Sequence, residues 1–470
     1  MNYSISIIQV IYITERITAN KKIMEFNKIL SNAKLTENGD LAFISPTLGE
    51  TEDDKMLDIL FKTEYYQNHL TEVPVLEKTE KASKFAQFIR DPRCGLGKRD
   101  LGRVLLHRLQ TDNDTMLKCG RADDLLFFSS CSFEELCDYL YRKVYYENNE
   151  LVKKWMPRYS SKYKEFAIRI MNVWFKNEPN YIKRKQLYSK MIKCNTTEQY
   201  LSRKTTDKII FEQVPSLASI KYANRFSRGE DTKERYNQYL EEVKAGKKEI
   251  KISTTTPYDI YRNRYKIDAD IFFNALPKIS GSWIPIIDSS GSMQDANDSY
   301  GKAMAIGHYL AKCSTCCSNM AISFSSTPKV LDISRCNGYL DEITKLHTGD
   351  CTNTDLAKVM HLLTTLKEKS ITNYPQFLVI LSDMEFDRGS STSIKEFNTI
   401  NRQLGTNTKI VWWNLNSRNT TCPEMDKLGN IFISGYNPMI LKFLEVQFDA
   451  KAFLNKLIEE YDIASHKMYQ

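Results

Sequence analysis

Trp283–Met293 reads WIPIIDSSGSM. Trp283, Ile284, Ile286 and Ile287 form an apolar run without polar alternation, the pattern of a strand buried on both faces in a parallel sheet. The run ends at Asp288, where a polar loop opens and spaces Asp288, Ser290 and Ser292 as Asp-x-Ser-x-Ser. In open α/β sheets ligands sit at the carboxyl ends of the strands. A carboxylate and two hydroxyls there are hard oxygen donors, suited to Mg²⁺ or Mn²⁺ rather than zinc. Pro285 opposes the strand assignment because it removes a ladder donor. It is expected near the strand's start, or where no partner carbonyl waits.

Two further loops lie downstream. Gly349–Asp355, GDCTNTD, precedes a helical pattern at Leu356, Val359, Met360 and Leu363. Phe377–Asp383, FLVILSD, is a second apolar run ending in an acid. Strands are expected at Met320–Phe324, Val330–Ile333, Phe377–Leu381, Lys409–Leu415 and Ile431–Ser434. Helices are expected at Ser299–Lys312, Leu340–Leu346, Leu356–Leu366, Ile394–Leu404, Leu441–Val446 and Ala452–Tyr461. Such alternation predicts a doubly wound parallel sheet from about residue 281 to 470.

This order of loops resembles the metal-ion-dependent adhesion site (MIDAS) of von Willebrand factor A (vWA) domains. The resemblance implies that Asp288, Ser290, Ser292, Thr352 and Asp383 hold a divalent cation directly or through water. Thr352 is preferred to Thr354 as the first Thr of a Gly-x-Thr-x-Thr-like loop, although one extra residue follows Gly349. Two carboxylates and three hydroxyls leave a coordination position open. In vWA domains that position commonly takes an acidic side chain of a partner protein.

The remainder is globular in composition, 42% hydrophobic and 11% aromatic, and no apolar run approaches the roughly 18 residues of a membrane span. Residues 1–23 lack the basic start and small-residue cleavage site of a signal peptide and read as an extension of uncertain role. The 11 cysteines are irregularly spaced, which predicts free thiols in a reducing, intracellular and cytoplasmic setting. Cys313-x-x-Cys316 lacks a second ligand pair, so it reads as helix cysteines rather than a zinc site. The 6 His show no metal spacing and no Ser-His-Asp arrangement. Asp350, Asp355 and Asp387 read as loop or capping residues. No enzymatic activity is expected.

Residues 24–250 read as a helical domain and 251–280 as a polar connector. Helical spacing recurs at 54–65, 79–91, 121–146, 150–157, 162–177, 180–194, 197–209 and 232–246, with Ser132 and Glu135 forming a capping box. Lys34–Ser45 carries a turn at Asn38-Gly39. Gly95, Gly97 and Lys98 are not a phosphate loop, because Arg99 stands where Ser or Thr is needed. They read as a Gly-rich helix connection. LTENGDLAF (35–43), IRDPRCGLGKRDLGRVLL (89–106) and LVKKWMPR (151–158) resemble an uncharacterised family of plant and giant-virus proteins with a C-terminal vWA domain. The second phrase is also similar to the TROVE module of Ro ribonucleoproteins. That resemblance implies HEAT-like helical pairs closed by a vWA domain, and small RNA as a partner.

Charge is uneven: residues 151–250 hold 23 Lys/Arg and 11 Asp/Glu, and the rest of the chain is slightly acidic. Lys153, Lys154, Arg158, Lys162 and Lys164 interleave with Trp155, Tyr159 and Tyr163, and Lys183, Arg184 and Lys185 follow, a mixture that suits phosphates and unpaired bases. The functional expectation is a scaffold whose metal site takes an acidic group and whose helical half binds small structured RNA. The alternative is a protein-interaction adaptor with no nucleic-acid role.

Overall fold

A computed structural model describes residues 33–35, 41–44, 51–128, 131–252, 255–295, 297–369, 374–386, 390–403, 408–416, 421–422, 431–435 and 450–469. The strands are β1 (Ala33–Leu35), β2 (Leu41–Ile44), β3 (Trp283–Asp288), β4 (Met320–Phe324), β5 (Lys329–Asp332), β6 (Phe377–Ser382), β7 (Lys409–Asn414), β8 (Thr421–Cys422) and β9 (Ile431–Ser434). Six of them form one sheet in the order β5-β4-β3-β6-β7-β9. Only the β4–β5 pair is antiparallel. All six strands expected from the apolar runs are present.

Pro285 sits inside β3, in register with Val379 of β6. The ladder to β4 begins one residue later, at Ile286↔Ile322, so the proline precedes the part of β3 that is paired on that side. Strand alternation sorts the sheet into two faces. Ile284, Ile286, Leu378, Ile380, Ile410 and Trp412 pack into one core with the helix Leu356–Lys369 and the helix Ser390–Gln403. Trp283, Ile287, Val379, Leu381, Val411 and Trp413 face the other way.

That second face is shared with the helical half. Its core takes in Met56, Leu60, Phe85, Phe88, Ile89, Leu101 and Leu105 from helices Glu52–Phe61, Glu80–Arg90 and Arg99–Arg108. The helix Ala450–Tyr469 joins it through Phe453, Leu457 and Tyr461. Two smaller cores follow outward along the chain, one spanning Met116 to Ile192 and one spanning Ile209 to Tyr239.

The connector is structured. Residues 257–274 form the helices Pro257–Asn263 and Ala269–Asn274, and Ile260 and Phe272 are fully buried in the shared core. The helical half is also not all-helical. β1 and β2 pair antiparallel, and β2 pairs with β8 of the C-terminal half. The expected helix at Leu441–Val446 and the turn residues Asn38 and Gly39 lie outside the described residues. The Ser132–Glu135 capping box is present in both directions. The ten cysteines from Cys94 to Cys351 are free thiols.

The phrase IRDPRCGLGKRDLGR is a clasp between helices. Arg90 is 1% exposed and grips Asp124 Oδ2 through Nε (2.9 Å) and Nη2 (2.6 Å). Arg103 Nε donates to Asp124 Oδ1 at 2.6 Å and reaches Asp123 at 3.3 Å. The carbonyl of Asp91 accepts from the N–H groups of Gly95 (3.2 Å) and Gly97 (2.9 Å). Its carboxylate accepts from the Arg93 N–H (2.8 Å) and the Tyr461 hydroxyl (3.2 Å). Gly102 is required by closeness: a Cβ there would lie 2.7 Å from Arg90 Cα.

Two stability predictions follow from the clasp. Asp124→Ala strands two buried guanidinium groups and should cost about 3–5 kcal/mol in urea unfolding, as for other broken buried pairs. A loss below about 1 kcal/mol would show the network to be incidental. Gly102→Ala should destabilise by about 1–3 kcal/mol through overpacking against backbone, although alanine is the better helix former.

Candidate metal centre

β3 and β6 are adjacent and parallel, with Ile287 opposite Leu381. Their carboxyl ends therefore lie side by side. Asp288 ends β3 fully buried, and Asp383 follows β6 at 3% exposure. The Ser382 hydroxyl donates to Asp288 Oδ2 at 2.6 Å, and the Ser290 N–H donates to Oδ1 at 2.9 Å. Burial pushes the Asp288 carboxyl upward from the ordinary carboxylate range, and the negative field of Asp383 pushes it further. Two acids share one water-poor crevice.

The loop after β3 makes a tight turn at Gly291–Met293. It brings the hydroxyls of Ser290 and Ser292 to 3.1 Å of each other. The loop Gly349–Asp355 lies against this turn: a Cβ on Gly291 would sit 3.1 Å from the Cys351 carbonyl oxygen. The three loops picked out in sequence thus meet at one end of the sheet.

Thr352 lies at the exposed rim. Its hydroxyl is 3.0 Å from Ser326 Oγ and from Asp350 Oδ1, and 3.3 Å from Ser325 Oγ. Thr354 is 2% exposed. Of the five expected ligands, Asp288, Ser290 and Ser292 are linked by hydrogen bonds and Asp383 acts electrostatically on Asp288, whereas the Thr352 hydroxyl turns to Ser325, Ser326 and Asp350 on the adjoining loops.

A fourth segment was missed by sequence reading. Ser325 and Ser326 follow β4 and latch the Thr352 loop. Ser325 Oγ accepts from the N–H groups of Thr352 (2.9 Å) and Asn353 (3.0 Å), and its carbonyl accepts from the Asp355 N–H at 3.0 Å. The stretch Ser325–Pro328 carries no acid and no Asp-x-Ser-x-Ser pattern. The one available signal was its position at the carboxyl end of a predicted strand, next to the one that carries Asp288.

The donor set fits a hard divalent cation. Two close carboxyls would gain from a positive charge between them, and the serine and threonine hydroxyls are the oxygen donors that could join them. Among the described residues no group of three or more His, Cys, Asp or Glu side chains is arranged to hold a metal, so a site here depends on its hydroxyls. Asp355 caps the following helix, accepting from the Lys358 N–H at 3.2 Å. His308 is a core residue, bonded to Glu342 at 2.6 Å. Asp387 lies outside the described residues.

The basic residues are not equivalent. Lys153 is buried and bonded to Asn148 and, at 3.3 Å, to Glu150. Lys154 is half-buried, 3.5 Å from Glu198 and over the Trp155 ring. Arg158 reaches Cys194 Sγ at 3.6 Å. On the helix Tyr181–Met191, Lys183 and Lys185 are exposed and Arg184 is half-buried. Lys183 pairs with Glu178 at 2.6 Å, and Lys185 lies 5.0 Å over the Tyr159 ring.

The aromatic rings around this helix form a chain: Tyr145, Tyr141, Trp174, Tyr188 and Tyr159 have successive centroids 5.3–5.8 Å apart. At its outer end Tyr145 and Tyr146 are 59% and 73% exposed, both carried on a π-helical turn at Arg142–Tyr146. Among the described residues no helix is long and apolar enough to cross a membrane.

Residues 282–467 match a family described as a domain of unknown function (DUF7788), and residues 177–294 match a second domain of unknown function (DUF2828). Each match covers less than half of the chain. No curated protein matches. Among solved structures, the Ro (RSR) protein of Deinococcus radiodurans is similar to this chain at 12% identity and a TM-score of 0.41, covering 88% of this chain and 96% of that one.

Proposed function

We propose that the protein is a non-enzymatic scaffold. Its C-terminal α/β half uses Asp288, Ser290, Ser292, Thr352 and Asp383 to hold Mg²⁺ or Mn²⁺, and the cation takes an acidic group from a partner protein. The observation that carries this reading is the burial of Asp288 and Asp383 in one crevice among serine hydroxyls. When bound, the cation supplies a Lewis-acidic position for an outside carboxylate. The chain's own part is to keep that position dry and aimed outward. Ser382 and the Ser290 N–H orient Asp288, and Ser325 fixes the loop that carries Thr352.

The helical half adds a surface for small structured RNA. Lys185 stands over the Tyr159 end of a chain of contacting rings whose other end, at Tyr145, is exposed, and Lys183 and Arg184 share its helix; aromatic faces and cations together suit unpaired nucleotides. A second reading, an adaptor without nucleic acid, is favoured by the local pairing of Lys153, Lys154 and Lys183 with acidic neighbours.

Two measurements test these assignments. Mg²⁺ or Mn²⁺ should raise the melting temperature of the native chain, and Asp288→Ala should abolish that shift. A shift left unchanged in the variant would move the site elsewhere. For RNA, filter binding of a structured small RNA should be saturable and salt-sensitive. Replacing Lys183, Arg184 and Lys185 by Ala should lower the slope of log K against log salt by about 2, at roughly 0.7 per phosphate contact. No binding at low salt would select the adaptor.

A further inference from the structure

At the opposite end of the sheet, helix Ser299–Cys313 turns into β4 through the sequence Ser314-Thr-Cys316-Cys317. The Sγ atoms of Cys316 and Cys317 are 3.3 Å apart, closer than two sulfurs in ordinary van der Waals contact. The turn holds them there. The Ser314 hydroxyl donates to the Trp283 carbonyl at 2.6 Å and accepts from the Cys317 N–H at 3.1 Å. The Met320 N–H closes the turn on the Cys317 carbonyl at 3.0 Å. Cys316 Sγ also lies 3.8 Å from Ser314 Oγ and 3.7 Å from the Trp283 carbonyl.

The two thiols differ chemically. The hydrogen bond between the two sulfurs, with the Ser282 and Ser314 hydroxyls, lowers the Cys316 thiol to about 6. The same contact, together with burial, pushes Cys317 upward. A low-lying thiolate is the attacking form in thiol–disulfide exchange. The phenol of Tyr374 is the other titratable group beside Cys317. Both cysteines are half-buried, so a small reagent reaches them more readily than a protein does.

We propose that Cys316 and Cys317 form a reversible dithiol–disulfide site for low-molecular-weight disulfides such as glutathione disulfide. The Cys316 thiolate attacks one sulfur of the external disulfide, forming a mixed disulfide and releasing one thiolate. Cys317 gives up its proton, and its sulfur attacks Cys316 Sγ, expelling the second external thiolate. The pair loses two electrons to the external disulfide, and the two thiolates that leave take up the two protons. The bond needs the sulfurs to approach from 3.3 Å to about 2.05 Å. Its closure acts on the turn that fixes the amino ends of β3 and β4, the strands whose carboxyl ends carry Asp288 and Ser325.

The test equilibrates the native chain in glutathione buffers of rising oxidised fraction, alkylates it and maps the cysteines by mass spectrometry. The Cys316–Cys317 peptide should lose two hydrogens and recover them on reduction. Cys317→Ser should instead accumulate one glutathione on Cys316, and Cys316→Ser should leave Cys317 unmodified. A pair that stays fully alkylatable while Cys351 becomes glutathionylated overturns the proposal.

Discussion

Two acids kept out of water at the ends of neighbouring parallel strands are the constraint around which the C-terminal half is arranged. Parallel pairing of β3 with β6 sets their carboxyl ends side by side, with Asp288 at the end of one and Asp383 just past the end of the other. Their mutual repulsion, sharpened by burial, has to be offset for the sheet to be stable. The chain answers in part with oriented dipoles: the Ser382 hydroxyl, the Ser290 N–H and the hydroxyls of the same turn. Dipoles oppose only part of that field, and a positive charge between the acids would complete the compensation. A proton held on Asp288, whose carboxyl is pushed upward, relieves the same repulsion.

The helical half shows how a motif can be read for the wrong purpose. Its basic residues invite assignment to an anionic partner, yet several of them serve packing. Arg90 and Arg103 close on Asp124, and Asp91 ties a Gly-rich turn to the C-terminal helix. Lys153 is spent on Asn148 and Glu150. Long cationic side chains bury their stems and bring their heads to nearby acceptors, which composition does not reveal. What stays available is a helix with only Tyr188 fully inside, flanked by rings.

Much of the sheet was legible in the sequence, because each central strand is a dense apolar run that ends abruptly in Asp, Ser or Asn. The site loops were legible for the same reason: a polar cluster after such a run has nowhere to lie except the crevice. Contacts made at long range were not legible. Residues 257–274 looked like a polar linker, since only a few positions such as Ile260 and Phe272 face the core and short helices give weak periodicity. The pairing of β2 with β8 joins segments far apart in the chain, and no local pattern encodes it. Ser325 escaped notice because its role, accepting two backbone N–H groups of another loop, depends on where that loop returns.

The docking of helix Ala450–Tyr469 onto helices Glu52–Phe61 and Glu80–Arg90 carries a consequence for biosynthesis. Lys84 meets Asp462 across 378 residues of sequence, and Phe88 meets the Tyr461 ring at 5.7 Å. At ribosomal speeds of about 5–20 residues per second, the earlier helices wait roughly 20–75 s for their partner to be made. During that interval their apolar face has no cover from the sheet either, since every strand of that core is encoded later. The nascent chain thus exposes a sticky helical surface for most of its translation, which makes it a natural client for chaperones that shield hydrophobic segments on the ribosome.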